Sequence, residues 1–435
     1  MLARIQSPII DRFEPLCSIL QLVLEMETDN AVDSYVKYLK DTVYALRLRK
    51  RGPYLERHND YDKMQTFTIP SNINNSFESL EQLANYVNQE IHLNFEDGYA
   101  AIISSPKNSS RKFVSLAIPH IFADGKYFTF LVDHFLNDNG HNTLKGLPNF
   151  PLLTNEVYKE YYKKAPNNVK DENHNEKLTR FHSNDKGNLK SGEYTKFITL
   201  RLNAEDIKNK VIKNNKSKLS NFTEMLYMSN YFAICAHENK LLNSYGIINV
   251  VDLKKFSKKP LTFANCFEIS PISPFTDHIT SDMKIIDVGK NLRKSIIEKL
   301  NNLEQFAGPS SRQFNQTLPE LNGIATEFSN IGDVHIKMPI IDLWISIYTK
   351  CLDRELVSNM GFSVFRDDFA SYGKEERHNR NMNDIVLRYR YSPKKMSFNE
   401  SRKMANSIEY FLKNISFEDQ VGKAYEEVKS FYNSL

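Results

Sequence analysis

One run of six residues in this chain gathers the types that proton-transfer chemistry needs: His120-Ile121-Phe122-Ala123-Asp124-Gly125. It stands where an apolar, β-like stretch, Phe113 to Pro119, stops and before a helical stripe of Phe128, Leu131, Val132 and Phe135 begins. A strand end is a place where a polar side chain can face a cleft. There, a neutral imidazole near pH 7 can take a proton from a hydroxyl, thiol or amine. It needs a second group to fix its tautomer and a glycine turn to let backbone and substrate approach. The same six residues also read as a histidine in a turn followed by an aspartate that caps the next helix. Spacing alone leaves both readings open.

Other chemistry-bearing residues form weaker patterns. His237, His278 and His335 are accompanied by no His/Asp/Glu cluster with i, i+4 spacing on a helix, so they read as core or surface histidines and no metal is expected. No glycine-rich phosphate cradle of the G-x-x-x-x-G-K or G-x-G-x-x-G kind occurs. Lys254, Lys255, Lys258 and Lys259 form a basic run that reads as a solvated loop, contact with the phosphates of a small anionic ligand being the alternative. The four cysteines, Cys17, Cys235, Cys266 and Cys351, are far apart and read as buried thiols in a reducing compartment.

The elements that must position these residues follow from periodicity. A β-like stretch, Leu16 to Met26, precedes a helix from Asp29 to Arg49, stopped by Gly52-Pro53. A helix from Ser79 to Asn88 leads into two strands, Tyr99 to Ser104 and Phe113 to Pro119, that read as a hairpin. From Lys163 to Tyr194 the chain is too polar to bury a face and reads as an exposed linker. The second half alternates again: strand 197–202, helix 221–236, strand 245–252 and helix 283–300. Strands at 323–329, 334–338, 340–349, 360–365 and 385–391 follow, then helices 399–413 and 417–431. The mixture in each half predicts an α+β chain of two comparable domains, 1–165 and 190–435, joined by a polar linker at 166–189.

Composition limits the partners. Lys and Arg number 57 against 53 Asp and Glu, a net charge of +4 with the signs interspersed, so nucleic acid is not expected as a partner. Hydrophobic residues make up 41% and aromatics 12%, enough for two or three ordinary globular domains. The first residues carry Arg4, Asp11, Arg12 and Glu14 where a secretory signal needs an apolar core, and no stretch is long enough to span a bilayer. A cytoplasmic location is expected. The C-terminal stripe Val421, Ala424, Val428, Phe431 and Leu435 reads as a packing face, with peripheral docking to a membrane or a partner as its alternative use.

With these landmarks in order, the chain resembles the superfamily of CoA-dependent acyltransferases and condensation domains related to chloramphenicol acetyltransferase, whose mark is H-x-x-x-D-G. Among its branches, which include the BAHD-like enzymes, the alcohol O-acetyltransferases look most similar. Val251-Asp252-Leu253-Lys254 resembles the family's D-x-R element, Ala264-Asn265 its G-N pair, and Ser329-Asn330-Ile331-Gly332 its S-N-x-G segment. Lysine stands at 254 in place of the family's arginine, alanine at 264 in place of glycine, and Pro119 in place of a second histidine. A second Ser-Asn-x-Gly occurs at Ser358 to Gly361; the first is preferred because it leaves about 50 residues before the strand at Ile385.

The resemblance implies two chloramphenicol-acetyltransferase-like domains, each a mixed β-sheet with flanking helices, and an active-site tunnel between them. It also implies transfer of an acyl group, most simply acetyl, from CoA to the hydroxyl or amine of a small acceptor. His120 would be the general base, Asp124 the partner of Lys254, and Gly125, Asp252 and Asn265 structural. Ser329, Asn330 and Gly332 would line the tunnel, with Ser329 or Asn330 donating to the oxyanion. Acyl-CoA would be a co-substrate with no resident cofactor, and the protein a monomer. A condensation enzyme using carrier-bound acyl donors, and a non-catalytic binding protein of the same fold, are the alternatives.

Overall fold

A computed structural model of the chain describes residues 2–4, 18–51, 54–58, 60–90, 99–120, 122–137, 158–166, 177–185, 195–208, 210–213, 216–219, 222–256, 269–307, 323–349, 356–366 and 383–435. Two sheets organise it. The first contains β1 (Ser18–Met26), β2 (Thr66–Thr68), β3 (Ala101–Ser104) and β4 (Lys112–Pro119). The apolar run of β1 is buried almost throughout, as a strand covered on both faces must be. Helices α1 (Asp29–Thr42) and α3 (Gly125–Asn137) pack Val32, Tyr35, Leu39, Phe128 and Leu131 on the face that carries Leu20, Leu22 and Leu24. Helix α2 (Leu80–Glu90) sets Leu83 and Val87 on the other face, against Val23 and Ile103. The expected hairpin is present, with Ile102 opposite Leu116 in an antiparallel ladder.

The second sheet contains β5 (Arg180–Phe181), β6 (Lys196–Asn203), β7 (Ile248–Asp252), β8 (Ile269–Ile272), β9 (Ile324–Ile336), β11 (Leu356–Arg366) and β12 (Asn383–Tyr391), while β10 (Ile340–Thr349) lies elsewhere. Its order is β8-β7-β9-β11-β12-β6, with β5 also on β9. Helix α4 (Phe222–His237) is buried on all sides, from Glu224 to His237, because α5 (Ile285–Asn301), α6 (Phe398–Asn414) and α7 (Val421–Ser434) surround it on this sheet. Val421, Ala424 and Val428 of the C-terminal stripe are spent on that packing, and Phe431 stacks on Tyr410 with centroids 4.3 Å apart. Among the described residues no helix is long and apolar enough to cross a membrane.

Strand β10 joins the first sheet rather than the second: it pairs with β1, Ile345 opposite Leu22, giving the order β10-β1-β4-β3-β2. The second half of the chain thus supplies an edge strand to the first half's sheet, and the sequence boundary between the halves is not a boundary between sheets. An ion cluster fixes the exchange. Asp342 of β10 receives Arg201 Nη2 at 2.8 Å and Arg366 Nη2 at 2.9 Å, and Asp384 receives Arg201 Nε at 2.8 Å and Arg366 Nη1 at 2.9 Å.

Three expectations need correction. The helix predicted over 29–49 ends at Thr42: Arg47 is buried in a following turn and its guanidinium donates to the carbonyls of Lys40 and Asp41, capping the helix end. The strands predicted at 323–329 and 334–338 are one strand, broken only by a bulge between Asn330 and Gly332, where Gly332 has φ +89°. Part of the predicted linker is built into the second sheet. Phe181 is fully buried, Leu178 packs on Ile248, and Thr179 N–H donates to the Gly246 carbonyl at 2.9 Å. Two apolar anchors among many polar residues are enough there, because backbone hydrogen bonds hold the rest. The stretches 167–176 and 186–194 lie outside the described residues.

Candidate active site

The HxxxDG turn is assembled by backbone hydrogen bonding at the end of β4. His120 N–H donates to the Ser18 carbonyl at 2.8 Å, one step beyond the β1–β4 ladder, and Phe122 N–H closes a turn onto the Pro119 carbonyl at 2.9 Å. His120 Nδ1 lies 2.7 Å from the Ala123 carbonyl oxygen. A carbonyl only accepts, so Nδ1 carries the proton, and Nε2 is the basic nitrogen of the neutral ring. Burial, the largest influence, and the charge of Arg390 hold the imidazole below its ordinary value; the Ala123 carbonyl and Asp124 act in the opposite sense.

Asp124 is 1% exposed and uses its two oxygens differently. Oδ1 accepts from Tyr127 N–H at 2.9 Å, capping α3, while Oδ2 accepts from Lys254 Nζ at 2.6 Å. The capping reading and the paired reading are therefore both true of one carboxylate. Lys254 is held in turn by Asp252, whose Oδ1 accepts from the Lys254 N–H at 2.9 Å where β7 ends. Lys255 lies with its ammonium 5.4 Å from the Phe256 ring centroid; Lys258 and Lys259 lie outside the described residues, as do Ala264 and Asn265.

Gly125 brings the second sheet against this turn. A Cβ at 125 would sit 2.7 Å from both Cγ1 and Cδ1 of Ile331, so any larger residue would push the Ile331 side chain out of its place at the bulge of β9. The bulge carries the predicted Ser329-Asn330-Ile331-Gly332 segment, and Asn330 Oδ1 accepts from Gly332 N–H at 2.9 Å, which leaves the Asn330 amide group as donor. Strand alternation puts Ser329 on the face of Glu327, whose parallel partner Ser358 donates to Glu327 Oε1 at 2.9 Å, and Asn330 on the opposite face. The two tunnel candidates thus do not share a face. In the second Ser-Asn-x-Gly, Asn359 is buried and donates to Asn230 Oδ1 at 3.1 Å in the core under α4.

Sequence reasoning missed the strand ends around His120. Arg390 Nη1 donates to Thr349 Oγ1 at 2.7 Å, Thr349 Oγ1 lies 3.1 Å from Ser18 Oγ, and Arg390 Nη2 lies 3.5 Å from Glu327 Oε1. A signal existed in the alternation of β12: Ile385, Leu387, Tyr389 and Tyr391 face the helical core, so Asp384, Val386, Arg388 and Arg390 share the other face. Charged residues there suggest solvent, whereas the face meets the first sheet: Arg388 is fully buried, 3.4 Å over the Trp344 ring.

The remaining candidates are structural. His237 Nδ1 lies 2.8 Å from Tyr432 Oη and its Nε2 lies 2.7 Å from the His182 carbonyl oxygen, His335 stacks on Phe365, and His278 is exposed. Among the described residues no group of three or more His, Cys, Asp or Glu is placed to hold a metal ion. Cys235 is buried and its thiol is pushed up to about 12 by that burial; Cys17, Cys266 and Cys351 lie outside the described residues.

The two interlocked mixed sheets with flanking helices are the two-lobed, chloramphenicol-acetyltransferase-like fold of condensation domains and acyltransferases. Similar solved structures span nearly the whole chain. Polyketide synthase associated protein 5 from Mycobacterium tuberculosis aligns with TM-score 0.60 and 11% identity, over 92% of this chain and 94% of that one. A trichothecene 15-O-acetyltransferase from Fusarium sporotrichioides aligns with TM-score 0.57 and 11% identity, over 92% and 91%. The first condensation domain of the calcium-dependent antibiotic synthetase aligns with TM-score 0.56 and 11% identity, over 93% of each chain. No family model and no curated protein matches the sequence.

Proposed function

We propose that the protein transfers an acyl group from a CoA thioester to the hydroxyl or amine of a small acceptor, with His120 as general base. The observation that carries the reading is the Nδ1–H bond from His120 to the Ala123 carbonyl, which fixes the tautomer, so that Nε2 is the basic nitrogen of the neutral ring that burial favours at this strand end. In the reaction the acceptor proton passes to Nε2 as the acceptor oxygen or nitrogen bonds to the thioester carbon. The tetrahedral oxyanion then collapses, the C–S bond breaks, and the proton on Nε2 goes to the departing thiolate. The Ser329 hydroxyl or, from the opposite face of the strand, the Asn330 amide is the candidate oxyanion donor. Asp124, with both oxygens engaged by Tyr127 N–H and Lys254, holds the turn and relays no proton. The chain acts as a cytoplasmic monomer in this reading, and acetyl is the simplest donor group.

The likeness to a condensation domain supports a second reading, in which the acyl donor sits on a carrier protein. One assay separates the two. Thiol release should be followed with acetyl-CoA against a panel of alcohols, amines and sterols, and in parallel with an acylated carrier. Turnover with free acetyl-CoA supports the first reading; turnover with the carrier thioester alone replaces it with the second.

A further inference from the structure

The strand ends around His120 are tied together by side chains from five strands. Arg390 of β12 donates to Thr349 Oγ1 of β10, Thr349 Oγ1 bonds Ser18 Oγ of β1, and the Ser18 carbonyl accepts the His120 N–H. On its other side Arg390 meets Glu327 of β9, which also accepts from Ser358 of β11. Ladder register supports the arrangement, because Arg390 stands opposite Ser358, Ser358 beside Glu327, and Thr349 opposite Ser18. We propose that Arg390 is a positioning residue for His120, tying the second sheet, through Thr349 and Ser18, to the peptide from which the imidazole projects.

This inference rests on the reading of His120 as the base, yet it makes a claim about the ring that turnover is not needed to test. Two ion pairs flank the histidine, Asp124 with Lys254 and Arg390 with Glu327. Arg390 opposes protonation of the ring and Asp124 favours it. A planar guanidinium can bond Thr349 and face Glu327 at once, and an ammonium presents no such fork. Removing the arginine therefore loosens the strand end, and it also leaves Glu327 without its cation, so that the ring takes up a proton more readily.

The experiment is an NMR titration of the His120 ring in the full chain, in the parent and in Arg390→Gln, Arg390→Lys and Thr349→Val, alongside kcat and KM. The Arg390→Gln midpoint should rise. Arg390→Lys should restore the midpoint without restoring kcat. Thr349→Val, which keeps every charge, should lower kcat with KM and the midpoint nearly unchanged. An unmoved midpoint in folded Arg390→Gln, or full kcat in Thr349→Val, overturns the role of Arg390 while leaving His120 as base. Full activity of His120→Ala together with the expected titration shift would instead sink the base assignment and leave the electrostatic coupling standing.

Discussion

Two buried charge groups tie the two sheets of this molecule together, and they are built on opposite principles. At the HxxxDG turn a single carboxylate, Asp124, meets a single ammonium, Lys254, with both side chains almost wholly buried. At the β10 edge, two carboxylates and two guanidinium groups form a closed ring, in which Asp342 and Asp384 each receive Arg201 and Arg366. The ring is redundant, so any member can leave and every remaining charge still has a partner. The pair is not. A site that must hold one turn against one strand end depends on one contact, whereas an edge strand borrowed from the other half is secured several times over.

The largest effect should therefore come from Asp124→Ala. It strands Lys254 in the interior and uncaps α3, and losing one partner of a buried pair costs about 3–5 kcal/mol. The melting temperature and the activity should fall together; an Asp124→Ala variant as stable as the parent would show that the pair contributes nothing.

Asp342→Asn should cost less, about 1–2 kcal/mol, because Asp384 remains for both arginines and Arg201 is partly exposed. Its signature is pH dependence. Burial alone would raise the Asp342 carboxyl, but the hydrogen bonds and charge of Arg201 and the charge of Arg366 hold it below its ordinary value. A carboxyl depressed in the folded state contributes stability that is present above its unfolded value, about 3.9, and is lost as pH falls through the folded one. Acid unfolding curves below about pH 4 should thus be shallower for Asp342→Asn than for the parent. Identical slopes would mean that the ring does not depend on ionised Asp342.

How much of this was legible depended on distance along the chain. His120, Asp124 and Gly125 lie within six residues, and their types alone pointed to a strand-end turn. Asp124 and Lys254 are 130 residues apart, and only a family resemblance could bring them together. Thr349 and Arg390 had no such guide, because strand order is decided by packing between sheets and leaves no local pattern. The apolar run of β10 read correctly as a strand, yet nothing in it says which sheet it completes.

The smallest effect should come from Lys254→Arg. The position is one where the resembled family carries arginine, and a guanidinium can keep the Asp124 contact while adding a second donor. Stability should stay within about 1 kcal/mol of the parent. A large loss would mean that the space around Lys254 is fitted to an ammonium, and that the pair is tighter than the comparison with the ring suggests.

The central claim, that His120 is the base of an acyl transfer, is tested most directly by thiol release from acetyl-CoA in parent and His120→Ala protein, with thermal unfolding of both as control. The acceptor is the best one found in the panel. A positioned general base contributes about 10²–10⁴-fold, and a half-buried strand-end histidine packs little, so turnover should fall by that factor while the unfolding midpoint stays near the parent's. Full turnover by a folded His120→Ala variant would contradict it.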